Sequence, residues 1–337
     1  MLRFILGRLA TVIPTIFGVI IVTFVLTRAL PGDPAAYFSG PNASIEDIEA
    51  TRVAMGLDRS WPDQFAIYIQ ELVHGDLGKS LTTGRPVLTE ILQRLPASAE
   101  LTVFGMIISL AIALPLGTMA ATRPGSWVDH LCRLIATAGV SMPPFVLGLL
   151  LIYILYYLLG WAPAPLGRLG LAYSAPPTVT GTYLIDSLIA GDFATFRAAF
   201  AQLLLPGLTL GIYCLAPLAR ITRASMLSAL SSEFVRTARA NGLSKFQIVV
   251  VYGLRNAILP VITILSLVFA FLLGANVVVE KVFAWPGIGS YALDAVIASD
   301  YASVQGFVLA MAVIYVALNL MTDIVYGLLD PRIGRLE

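Results

Sequence analysis

Residues that could do chemistry are sparse in this chain, and their spacing does not support a catalytic centre. The two histidines, His74 and His130, are far apart, and the two cysteines, Cys132 and Cys214, lie in or beside apolar stretches. Neither metal-ligand spacing nor a disulfide framework is present, and the cysteines read as buried small hydrophobes. No nucleophile elbow occurs. Gly78-Lys79-Ser80 imitates the end of a phosphate-binding loop, but that loop needs a glycine where Val73 stands. No nucleotide site is therefore expected in this chain. What remains is a set of polar residues in or beside apolar runs: Ser141, Ser266, Asn276, Glu280 and Asn319. Polar groups inside a bilayer are costly and often mark a pathway or gate. Interhelical hydrogen bonding is the alternative for each.

A second group of residues suggests docking rather than catalysis. In Arg236-Thr237-Ala238-Arg239-Ala240-Asn241-Gly242-Leu243-Ser244, small residues alternate with bases. Gly242 after Asn241 can end a helix in the left-handed conformation. Ser244 can cap a following helix through Phe246, Ile248 and Val249. The pattern predicts a helix-turn-helix with a small, shallow tip and a positive flank, suited to a groove on a partner protein. An ordinary basic loop beside a membrane is the alternative reading.

These segments must be positioned by membrane helices. Of 337 residues, 58% are apolar and only 12% are charged, and the mean hydropathy is +0.86. That apolar excess is too large for a soluble core and calls for lipid as solvent. A net charge of +1 gives no field that would attract nucleic acid. Six windows carry no charge: between Arg8 and Arg28, Glu100 and Arg123, Arg133 and Arg168, Arg197 and Arg220, Arg255 and Glu280, and Asp300 and Asp323. Each is long enough to cross a hydrocarbon core of ~30 Å as helix, the form that satisfies every backbone polar group internally. Met142-Pro143-Pro144 should kink or break the third span. Leu169 to Ile185 is charge-free but rich in proline, glycine and hydroxyls, and reads as loop.

Basic residues set orientation. The N-terminus, the loop with Arg123 and Arg133, the loop from Arg220 to Arg255 and the end with Arg332 and Arg335 fall on one side, so both termini are expected in the cytoplasm. Residues 31–97 on the other side carry nine acids and five bases. There Ser44 to Asp47 looks like a capped helix start, Trp61-Pro62 opens a second helix, and a third short helix is expected from Val87 to Leu95 before Pro96. Trp285-Pro286-Gly287, beyond Glu280, is a turn signal. It suits a gate, a docking surface or an interface anchor.

The run Val235 to Ser244, followed by Leu254-Arg255-Asn256-Ala257-Ile258-Leu259-Pro260, resembles the cytoplasmic signature of binding-protein-dependent ABC importer permeases, in the dipeptide, oligopeptide and nickel branch. Leu30-Pro31-Gly32-Asp33-Pro34, Gly75-Asp76-Leu77-Gly78, Phe283-Ala284-Trp285-Pro286-Gly287-Ile288-Gly289 and Asp330-Pro331-Arg332 are similar to that branch's first-type permease. The wider signature carries a glutamate where Arg236 stands, so no glutamate role is transferred to that position. The resemblance implies an all-α integral membrane protein of about six transmembrane helices with type I ABC importer permease architecture. It implies a first helix in 1–30, an extracytoplasmic segment in 31–97, a five-helix core in 98–330 with a coupling loop in 223–259, and a cytoplasmic tail in 331–337. It further implies a bacterial cytoplasmic membrane location and import of peptides or similar solutes by alternating access. The implied partners are a second homologous permease subunit, two ATPase subunits that bind ATP and Mg, an extracytoplasmic solute-binding protein and the lipid bilayer. Residues 236–244 would be the ATPase-coupling segment.

Two other classes compete. A secondary transporter or channel would show coupling acids within the spans or inverted repeats. A membrane-embedded enzyme would need a reactive constellation that the chain lacks.

Overall fold

The computed structural model describes residues 13–25, 34–40, 43–298 and 300–329. The basic flanks Arg3, Arg8 and Arg28, the stretch Leu30 to Asp33 and the tail from Asp330 onward lie outside the described residues. The helices, in chain order, are α1 (Ile13–Val25), α2 (Pro34–Ser39), α3 (Ile45–Ala54), α4 (Trp61–Val73), α5 (Val87–Thr122), α6 (Trp127–Ser141) and α7 (Pro144–Leu151). The last of these continues as a π-helical stretch, Ile152–Leu158. Then come α8 (Tyr183–Ile189), α9 (Phe193–Leu230), α10 (Glu233–Ala240), a second π-helical stretch (Gln247–Leu254), α11 (Arg255–Ala275), α12 (Val277–Val282), α13 (Ile288–Ile297) and α14 (Tyr301–Leu329). The described residues hold no strand, only an isolated bridge between Lys79 and Pro86.

Among the described residues, four helices are long and apolar enough to cross a membrane: Val87–Thr122, Phe193–Leu230, Gln247–Leu273 and Tyr301–Ile324. They fall on four of the six charge-free windows. The first window holds α1, and the third holds most of α6 with α7. The expected break in the third is present: Met142 is extended, at φ −111° and ψ 126°, and α7 restarts at Pro144.

Two sequence expectations need correction. The short helix Val87 to Leu95 does not stop before Pro96, because α5 runs through both Pro96 and Pro115. Prolines also lie within α9 and α11. Membrane helices accept them because neighbouring helices re-satisfy the freed carbonyls. The loop read from Leu169 to Ile185 gives way to α8 at Tyr183, where Asp186 accepts from Val179, Thr180 and Gly181 backbone N–H groups and folds the preceding loop onto the helix.

The chain divides into two compact units: Pro96–Pro286 with the described residues from Ala317 on, and the described residues up to Leu95 with Gly287–Val316. In the first unit α9 is the central element. Its residues Leu203, Leu210, Cys214, Leu215 and Leu218 are buried in the core. Close approach to α5 depends on missing side chains. A Cβ on Gly207 would stand 2.3 Å from the Phe104 ring, and one on Gly105 would stand 2.9 Å from the Leu210 Cβ. Gly207 and Gly211 thus form a small-xxx-small contact. Cys132 and Cys214 are both fully buried here, as their apolar surroundings suggest.

The second unit is centred on Val87, Ile91, Ile288 and Tyr291. Asp300, fully buried, accepts from the Ser80 hydroxyl at 2.6 Å, from Leu81 N–H at 2.9 Å and from the Ser303 hydroxyl at 2.7 Å. The Gly78-Lys79-Ser80 segment is thereby a turn pinned to a carboxylate. Ser44 and Asp47 form the capping box read from the sequence. Phe65 and Tyr68 of α4 pack on Phe24 of α1, with ring centroids 5.0 and 5.9 Å apart.

Candidate functional site

α10 begins after Ser232 and ends in a Schellman turn. Leu243 N–H donates to the Ala238 carbonyl at 3.2 Å and Gly242 N–H to the Arg239 carbonyl at 3.0 Å. Gly242 has φ +75°, the left-handed region that glycine enters without steric cost. A Cβ there would meet nothing within 4 Å, so the constraint at this position is backbone conformation, not space within this chain. The next helical segment is also capped as its sequence implies. Ser244 Oγ accepts from Gln247 N–H, and Gln247 Oε1 accepts from Ser244 N–H at 3.0 Å. That segment winds as a π-helix before α11 takes over.

Burial divides the hairpin in two. Val235 and Ala238 are buried against Ile248, with Leu230 and Leu243 around them. Arg236, Thr237, Arg239, Ala240, Asn241, Gly242 and Ser244 are exposed, and Leu243 is half-buried. The small residues therefore play two roles: Ala238 anchors the hairpin, while Ala240 and Gly242 keep its tip low. Arg236 meets Glu233 at 3.6 Å in an ion pair with both side chains in solvent.

At the far end of the same helices lies a buried polar cluster. Ser98 Oγ donates to Glu280 Oε1 at 2.5 Å, Asn276 Nδ2 donates to Thr102 Oγ1 at 2.8 Å, and Trp285 Nε1 donates to the Ala97 carbonyl at 2.8 Å. Asn276, Glu280 and Trp285 are essentially inaccessible. Trp285 is therefore not an interface anchor: its indole is packed inside the unit with its N–H satisfied. Next to it, Ala284 holds φ +51°, a left-handed conformation that costs a non-glycine residue energy. Thr102 and Thr122 are 20 positions apart on one helix, a rise of about 30 Å. The cluster and the hairpin end of α5 are thus separated by roughly one hydrocarbon thickness.

The remaining polar candidates are dispersed. Ser266 accepts a 2.7 Å bond from Thr322 Oγ1. Asn319 is exposed on α14. Ser141 is exposed and lines a cleft of 500 Å³ with Thr137, Arg133, Arg220 and Arg223. Arg223 Nε donates to Asp129 Oδ1, and Arg133 lies 3.6 Å from the same carboxylate. The hydrogen bond from Arg223, joined by Gly125 N–H, holds the Asp129 carboxyl down to about 2.

Sequence reading used Glu100 and Arg168 only as ends of charge-free windows. They form a buried ion pair at 2.7 Å. Glu100 also accepts from Leu184 N–H, and the Arg168 guanidinium lies 3.5 Å from the Tyr183 ring centroid. Opposite charges at the ends of neighbouring apolar windows were the available signal, but nothing in their spacing paired them.

Long apolar helices, a protruding capped hairpin and a buried polar cluster at the opposite helix ends define an all-α integral membrane protein of the transporter class. Two family descriptions match the chain: "Binding-protein-dependent transport system inner membrane component" over residues 113–335 and the N-terminal membrane component of the same systems over residues 1–102. The chain belongs to this permease family, in which the nucleotide-binding ATPase is a separate subunit. It is 42% identical to the probable D,D-dipeptide transport system permease protein DdpB of Escherichia coli K12, over 94% of this chain and 93% of that one. It is also 42% identical to the di/tripeptide transport system permease protein DppB of Pseudomonas aeruginosa, over 99% of both. A solved structure of the MetNI methionine ABC transporter in an inward-facing conformation aligns with a TM-score of 0.48 at 20% identity, over 70% of this chain and 93% of that one.

Proposed function

We propose that this permease carries short peptides, or solutes of similar size, into the cytoplasm, powered by ATPase subunits that engage residues 236–244. The observation that carries this reading is the hairpin itself: a tip of small and basic residues, exposed, turned by Gly242 at φ +75° and anchored by Val235 and Ala238. A rigid anchor is what a coupling element needs, because a partner's motion must reach the spans without being absorbed in a loose loop. Peptide cargo is supported by the dipeptide systems named for both relatives.

In this reading two ATPase subunits bind ATP and Mg and draw two hairpins together, one from this chain and one from a second, homologous permease. The spans then open outward to receive solute from an extracytoplasmic binding protein, and hydrolysis resets them. Both termini and the hairpin face the cytoplasm, and residues 31–97 face outward. The division into a first span, an outer segment, a five-helix core with the loop 223–259 and a cytoplasmic tail follows. Ser141 and Asn319, exposed, and Ser266, half-buried, are assigned to the pathway. Asn276 and Glu280 brace its outer gate.

Gly242→Asp tests the coupling role. The subunit is expected to insert and to assemble, but peptide uptake into proteoliposomes and peptide-stimulated ATP hydrolysis should both be lost. Normal uptake with normal stimulation would remove the assignment. Transport by the purified chain without ATP would favour a secondary transporter instead.

A further inference from the structure

We propose that the cleft bounded by the ends of α5 and α9 and by the π-helical start of the Gln247–Leu273 span is a binding site for an anionic glycerophospholipid. The cleft has a volume of 870 Å³ and is lined by Arg123, Arg239 and Lys245, with no carboxylate in its lining. All three cationic side chains are exposed, and none forms an ion pair among the described residues. Nearby Arg133 and Arg223 differ, since both are held by Asp129. Three uncompensated positive charges therefore converge on one cavity. The C-terminal ends of α5 and α9 oppose an anion there, but each contributes only about half a negative charge, less than three full cations supply.

The rest of the lining selects the ligand's class. Leu230, Val249 and Val250 form an apolar wall. Phe246 lines the cleft as well and is exposed, as are Val251 and Tyr252, which follow Val250 in the chain. The membrane-crossing helices α5 and α9 both end here and a third begins here, so the cations stand where hydrocarbon gives way to headgroups. A free phosphate or a nucleotide would use the bases and leave the wall bare. A phospholipid uses both: its phosphate and anionic headgroup meet the three cations and its acyl chains cover the wall. Basic juxtamembrane residues attract anionic lipid in this manner. The proposal does not depend on what docks at Gly242, and its test leaves Arg239 and the hairpin tip unchanged.

The test places the full chain in nanodiscs of phosphatidylcholine containing a minor fraction of phosphatidylglycerol, and counts retained lipids by native mass spectrometry. The unaltered chain should retain phosphatidylglycerol in preference. Arg123→Gln with Lys245→Gln should reduce that preference about thirtyfold, and Arg123→Lys with Lys245→Arg should keep it. An unchanged preference in the glutamine pair would overturn the proposal, whether or not that pair had lost its ATPase subunits. So would displacement of the lipid by excess inorganic phosphate, which would mark a plain anion site. A second readout is independent of the charge variants. In a Phe246→Trp chain, brominated phosphatidylglycerol should quench the added fluorescence more than brominated phosphatidylcholine does, and equal quenching would count against the site.

Discussion

The buried cluster at Glu280 and the exposed hairpin at Gly242 occupy opposite ends of the same helices, and they use polar residues in opposite ways. In the cluster, Ser98 donates to Glu280 and Asn276 donates to Thr102, away from solvent, while the buried Asn276 Oδ1 has no hydrogen-bond partner among the described residues. In the hairpin the bases and the amide of Asn241 are left to solvent, and only Val235 and Ala238 hold the element down. The two buried hydrogen bonds fix a geometry, because breaking either strands a further donor or acceptor in a medium without water. Unengaged surface polar groups are available to something outside the chain. One end holds its own shape, and the other leaves polar groups open to whatever lies outside the chain.

The contrast fails first, if it fails, at Glu280. Glu280→Ala should cost about 2–3 kcal/mol by removing the carboxylate that accepts from the Ser98 hydroxyl and emptying a buried site, read as a fall in melting temperature of the detergent-solubilised chain. Glu280→Gln, which keeps an acceptor for Ser98, should recover much of that loss. A melting temperature unmoved by both substitutions would mean that the cluster is not a brace.

Asp129 gives an intermediate effect with a pH signature. Its carboxyl ionises at about 2 in the folded chain against an ordinary value of 3.8. A depressed value means the stabilisation is complete above the ordinary carboxylate range and disappears as pH falls toward 2. The difference in melting temperature between the unaltered chain and Asp129→Asn should therefore be widest near neutrality and shrink between pH 4 and about 2. A difference that does not change with pH would detach Asp129 from its arginines.

The smallest effect belongs to the hairpin surface. The Glu233–Arg236 pair is exposed on both sides, and such pairs contribute about 0–1 kcal/mol. Glu233→Gln should shift the melting temperature of the isolated chain by no more than about 2 °C, consistent with a near-zero contribution. If it instead destabilised the chain as much as Glu280→Ala, the distinction between a self-contained end and an open end would be lost.

Much of this molecule was legible from local pattern alone. Charge-free windows located the four long apolar helices and the shorter apolar helices α1 and α7 because lipid excludes charge along a helix of fixed rise. The capping box at Ser44, the restart after Met142-Pro143 and the glycine-ended hairpin with its Ser244 cap were legible for a related reason: each depends on residues within one or two turns of one another. Tertiary structure decided the rest. That Pro96 stays inside a helix depends on the neighbours of α5. That Trp285 is buried depends on a carbonyl 188 positions away in the chain. The partners of Glu280, Asn276, Glu100 and Asp300, and the convergence of Arg123, Arg239 and Lys245 on one cleft, are contacts between distant segments. No local periodicity encodes such pairings, because they arise only once packing of the helices brings their side chains together.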